Sequence, residues 1–248
     1  MHLDPMALRH IRYTPIDNRL LAGQQTRLDI TLADLPALAP HLPIILPLGS
    51  DRLPQALISP VAAEHPFGGH TPSTWQHYPF RLIEQHNLLD AEGGLQSGLS
   101  LQVDEQAPHL SDSLAPLQPG EQRLFEEHGQ PTPFLRQVIQ RLRQHREEIA
   151  QTLAFLARLD EIGVLIRAQV RHGRELIACR LIDASRLQRL EALPAPEQLQ
   201  SAVQIAALQR AQAHLQPQGK GYTTGFEGPS QHTSSGLPGS LRLQQSRL

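Results

Sequence analysis

The chain predicts an α+β fold, in which a proline-punctuated, β-rich N-terminal half packs with a C-terminal helical half that carries a β-hairpin. Three observations predict it. Residues 11–103 hold short apolar runs broken by turn residues, residues 133–161 hold one long stretch at helical spacing, and residues 164–182 return to two β-like runs around Arg171-His172-Gly173-Arg174.

Residues 1–10 precede the first apolar run and are expected to be a flexible N-terminus. From Leu28 to Leu32 apolar and polar residues alternate, the two-residue period of a half-buried strand. Pro36, Pro40, Pro43, Pro47 and Pro54 rule out a continuous helix through this region, because each lacks the amide hydrogen that a helix interior uses. Ile44, Ile45 and Leu46 form a fully apolar strand candidate, and the SDRLP segment from 50 to 54 turns the chain into a partner strand at Gln55–Ile58. Residues 59–79 read as an irregular loop with a Gly68-Gly69 pair, three histidines and the single tryptophan. Beyond it, Phe80–Leu89 and Leu95–Val103 flank a Gly93-Gly94 turn, which predicts a hairpin and sheet structure to about residue 103.

The helical half opens at Thr132, a suitable N-cap, with Pro133 at the first helical position and Gly163 as the stop. Between them Leu135, Val138, Ile139, Leu142, Ile149, Leu153, Leu156 and Leu159 recur on one helical face, which is expected to cover the sheet of the first hundred residues. After the hairpin, Asp183 caps a short helix through Leu190, and Pro196 begins a longer one that runs to Leu215. Residues 11–215 thus form a single domain, β-rich over 11–103 and helical with a hairpin over 123–215. The segment 216–248 is Gly-, Ser- and Gln-rich with few large apolar groups and is expected to be a disordered tail.

Composition narrows the function. Apolar residues make up 40% of the 248-residue chain and aromatics only 4%, so the core is aliphatic. A net charge of -2 offers no field for nucleic acid or anionic lipid. The one cysteine, Cys179, excludes an internal disulfide and a four-thiolate zinc site, and its apolar setting predicts a buried, inert thiol. Neither a GxSxG nucleophile elbow nor a phosphate-binding glycine loop is present, and no cofactor is expected. No run approaches the roughly 18 apolar residues of a membrane helix, so no membrane insertion is expected. The start lacks a secretory h-region, which predicts a cytoplasmic protein, with the cell surface reached by a signal-independent route as the alternative.

Two groups of residues invite chemistry. His65, His70 and His77, with Glu64, are the weak metal candidates, since imidazoles bind divalent ions and Gly68-Gly69 gives the loop freedom to gather them. Their spacing matches no established ligand pattern, and hydrogen-bonding roles are the simpler reading. Trp75, Tyr78 and Phe80 concentrate aromatic surface in a chain that has little of it. The structural reading is that they staple the N-terminal sheet to the long helix; the binding reading is that they floor a pocket with His70 and His77 at its rim. The basic run Arg136, Arg141, Arg143, His145 and Arg146 is balanced by Glu147, Glu148, Asp160 and Glu161, as on a solvated face.

Tyr78-Pro79-Phe80-Arg81-Leu82, LSLQVDEQAPHLS from 99 to 111 and RLFEEHGQPTPFLRQVIQRL from 123 to 142 together resemble the bacterial SapC family. The shared order is Tyr-Pro-Phe, a strand ending near the acidic pair Asp104-Glu105, Leu124-Phe125, the Gly129–Thr132 turn, a long helix, a hairpin, and an Asp183-capped helix with Leu187 and Leu190. The resemblance spans residues 12–215, with a compressed approach to Tyr78. It implies a non-enzymatic accessory or binding protein associated with a bacterial surface layer, with a protein or peptide as partner, and it brings no catalytic motif. The alternative is an enzyme whose pocket lies near residues 64–80 and uses metal-bound or acid-base histidines.

Overall fold

The computed structural model describes residues 10–22, 24–49, 51–59, 67–89, 95–113, 115–193 and 195–215. Helices and antiparallel sheets alternate along it in an α+β fold. In chain order the elements are β1 (Ile11–Tyr13), α1 (Asn18–Ala22), β2 (Arg27–Asp29), α2 (Leu35–Leu38), β3 (Ile44–Pro47), β4 (Gln55–Leu57), α3 (Ser73–Gln76), β5 (Phe80–Leu89), β6 (Leu95–Val103), β7 (Leu110–Asp112), β8 (Gln122–Arg123), α4 (Pro133–Glu161), β9 (Leu165–His172), β10 (Glu175–Ile182) and α5 (Ala195–Ala213). Residues Leu32–Asp34 and Ala184–Ala192 are 3-10 helices.

The apolar run Ile44-Ile45-Leu46 becomes the central strand of a five-stranded antiparallel sheet in the order β2-β4-β3-β10-β9. Ile44 pairs with Ala56, and Arg180 with Leu46. The C-terminal hairpin therefore completes the sheet begun by the N-terminal half rather than standing apart from it. Alternation sorts the strands' side chains: Ile44, Leu46 and Ala56 meet Leu156 and Leu159 of α4 and Ile205 and Leu208 of α5, whereas Ile45, Leu57, Ile177, Cys179 and Leu181 form a second cluster.

The remaining strands form two smaller sheets, β7-β1-β8 and the β5-β6 hairpin. Phe80 and Val103 at the hairpin base pack with Leu124, Phe125, Leu135 and Leu142. At 1.5 Å per residue α4 is about 44 Å long, enough for its first half to serve this cluster and its second half the large core. Its start is as expected: Thr132 Oγ1 accepts the Leu135 amide at 3.3 Å and Pro133 follows. Its stop is Gly163 at φ +69°, where a Cβ would run into the Arg189 side chain.

Two expectations need correction and two are filled in. The alternation from Leu28 to Leu32 does not extend a strand; β2 ends at Asp29 and Leu32 opens a 3-10 turn, because Thr31 and Asp34 exchange local hydrogen bonds instead of offering them to a neighbouring strand. Sheet structure continues past residue 103 into β7 and β8. The Asp183-capped helix is of the 3-10 type, its Asp183 side chain accepting the Ser185 amide at 3.0 Å. Finally, the five-stranded sheet is covered by α5 as well as α4. The Gly93-Gly94 turn, residues 1–9 and the segment 216–248 lie outside the described residues.

Candidate functional site

The aromatic loop is held from beneath by one carboxylate. Asp34, 1% exposed, accepts from the Thr31 amide at 2.9 Å, the Ser73 amide at 2.9 Å, Ser73 Oγ at 2.6 Å and His70 Nε2 at 2.8 Å. A carboxylate only accepts, so both Ser73 and His70 point their protons at it. A nucleophilic relay requires serine to give its proton to histidine and histidine to face the acid; with the acid in the middle, the three residues fasten the 3-10 turn to α3. Thr152, fully buried on α4, extends the fastening by accepting the Leu32 amide at 3.1 Å and donating to the Glu148 carbonyl at 2.7 Å. Gly68 closes the loop against His41, whose Nε2 would lie 2.6 Å from any Cβ there.

Asn18 fixes the other side. Its Nδ2 donates to the carbonyls of Trp75 at 2.7 Å and Tyr78 at 3.2 Å, and its Oδ1 accepts His109 Nε2 at 2.7 Å. His109 is buried, which holds its pKa below the ordinary imidazole value against an opposing contact with the Ile16 backbone. Its ring stacks on Tyr13 and meets the edge of Tyr78, which in turn lies 5.1 Å from Trp75. Tyr78 donates its hydroxyl to Asp104 Oδ2 at 2.8 Å, and Asp104 Oδ1 accepts the Gln106 amide at 3.1 Å. Desolvation, then the bond to Asp104, pushes the phenol up to about 12, so it stays a neutral donor at physiological pH.

These contacts shape a cleft of about 790 Å³ between α3 and the base of the hairpin. Trp75, Tyr78 and Phe80 supply apolar wall, and Asp104, Glu105 and Arg81 supply charge. A second pocket, of about 380 Å³, shares Thr74, Phe80 and Arg81 with the first and contains His77 and His145, whose rings meet edge-on with centroids 5.7 Å apart. Burial, with the nearby His145 ring and the Arg141 guanidinium adding to it, lowers His77 to about 4. His77 is therefore neutral at pH 7.

The candidates from the sequence thus separate. Trp75, Tyr78 and Phe80 line one cleft; His77 lines the neighbouring pocket, and His70 is engaged by Asp34. Tyr78 and Phe80 contact different rings, Phe80 reaching Tyr13 and Phe134 and so joining the hairpin to α4. His65 and Glu64 lie outside the described residues, among which no group of three or more His, Cys, Asp or Glu side chains is placed to hold a metal. Cys179 is fully buried, and desolvation pushes its thiol up to about 11. No described helix is long and apolar enough to cross a membrane.

Asp34, Asn18, His109 and Thr152 were not legible as site residues, although Thr31-Leu-Ala-Asp34 followed by Pro36 carries the spacing of a capping motif and signals a local carboxylate-to-amide bond. The SapC family model matches residues 3–220. No curated protein and no solved structure matches the chain.

Proposed function

The chain belongs to the SapC family, and from that premise we propose that it is a non-enzymatic accessory protein that takes a segment of a partner protein into the cleft of Trp75, Tyr78 and Phe80. The observation that carries this reading is the cleft itself: a chain with only 4% aromatics gathers its single tryptophan and two more rings around an open space of about 790 Å³, beside charged groups that give orientation. The groups with catalytic potential support it further. Ser73 and His70 are both spent on Asp34, and the Cys179 thiol is buried and protonated. A surface-layer protein is the partner class that the family name suggests, and the cell surface belongs to this proposal.

The test is recovery of a partner from surface-layer and soluble fractions of the source organism on immobilised full-length chain. Three forms are compared: the unaltered chain, Trp75→Leu in the cleft, and Leu176→Ala, whose side chain is 61% exposed on β10. All three should melt cooperatively. The expected result is a stoichiometric partner kept by the chain and by Leu176→Ala and lost by Trp75→Leu. Equal recovery by all three would overturn the reading.

A further inference from the structure

We infer that the partner inserts an arginine side chain into this cleft, stacked on Trp75 and Tyr78 and forked onto Asp104. The inference rests on the reading of the cleft as a peptide site and adds the chemistry of its occupant.

Asp104 is pinned by two donors, one to each oxygen, the Gln106 amide and the Tyr78 hydroxyl. An ionised carboxylate has about four acceptor positions, so each oxygen keeps one for an incoming donor such as a guanidinium. Because the carboxylate is already held in place, little side-chain freedom is lost when that fork forms. Tyr78 contributes a ring that stays neutral, and its centroid lies 5.1 Å from that of Trp75. An aromatic pair beside a carboxylate matches a flat cation, which stacks on an outer ring face while donating in its own plane. Arg81, also in the lining, donates its Nε to Gln102 Oε1 at 3.0 Å across the β5-β6 pair. Asp104, held beside the rings by Tyr78, is the carboxylate that the occupant meets there. A volume of about 790 Å³ holds such a side chain together with the backbone on either side of it.

Trp75 is the only tryptophan in the chain, so its fluorescence reports occupancy of the cleft directly. The probes are a blocked alanine peptide with a central arginine and its citrulline counterpart, which has the same shape without the charge. They are titrated against the full chain and against Asp104→Asn, with circular dichroism to verify that the variant is folded. The expected result is a saturable change with the arginine peptide, about tenfold weaker binding of the citrulline peptide, a similar loss in Asp104→Asn, and weakening of the arginine complex as salt is raised. Equal affinity for arginine and citrulline, or an Asp104→Asn variant that binds arginine as well as the parent, would overturn the inference and leave the peptide-site reading standing. Silence of Trp75 toward every peptide at millimolar concentration would overturn the inference; the partner-recovery comparison then decides the reading of the cleft separately.

Discussion

Substitution of Asp34 by alanine should be among the most damaging single changes in the chain without any bearing on chemistry. The carboxylate is 1% exposed and takes four short hydrogen bonds, from the amides of Thr31 and Ser73, from Ser73 Oγ and from His70 Nε2. When it is removed the hydroxyls of Thr31 and Ser73, already 3.1 Å apart, keep each other, and the partly exposed His70 turns to water. The two backbone amides have no such alternative. Each buried, unsatisfied amide costs about 1–3 kcal/mol, so the pair predicts a loss of about 4 kcal/mol, read as a lower urea midpoint at unchanged slope. Asparagine should rescue little, since its NH₂ group would face donors where the carboxylate offers acceptors. A catalytic carboxylate behaves in the opposite way, because removing a functional group held against its own stability commonly strengthens a fold. A loss below about 1 kcal/mol in Asp34→Ala would therefore refute the fastener and return the Asp34, Ser73 and His70 cluster to candidacy as a reactive site.

Leu142→Ala should cost about 3 kcal/mol, because Leu142 packs with Phe80, Leu124 and Leu135 beneath the hairpin; an unchanged melting temperature would mean that this face of α4 is not core. His77 has a folded value of about 4 against 6.5 in the free side chain, so the unfolded chain binds more protons between those values. Its contribution is complete above pH 6.5 and is lost as pH falls toward 4, about 1–2 kcal/mol once partial exposure is allowed for; His77→Gln should flatten that part of the stability curve, and an identical curve would contradict the assignment. Cys179 should resist thiol reagents in the native protein and react fully only on unfolding, whereas rapid native labelling would show that its strand face is open.

The elements most legible in the sequence are those whose signals are local. Helix α4 announces itself through Thr132, Pro133 and Gly163 at its ends and an apolar stripe between them, and the hairpin of β9 and β10 through two runs around a tight basic turn. Sheet order is not local: the pairing of Cys179 with Pro47 joins residues far apart in sequence, and no periodicity within either strand specifies its partner. Strands β7 and β8 are three and two residues long, too short to show alternation at all. The same division holds in the site. Trp75, Tyr78 and Phe80 are close in sequence and meet around one cleft, whereas grouping His70 with His77 by composition failed to foresee that Asp34, on a separate segment, engages one and α4 packs against the other. Asp104 entered only through an acidic pair at a strand end; its bond to Tyr78 depends on how the hairpin base closes.

The central claim is that the cleft beside α3 receives a partner protein, and a photoreactive group introduced at Thr74, which lines the cleft, tests it most directly. Irradiation of the full chain in extracts of the source organism, followed by mapping of the joined peptides, should give one dominant protein segment whose yield collapses in the Trp75→Leu background. A scatter of unrelated peptides, or a yield unaffected by Trp75→Leu, would contradict it.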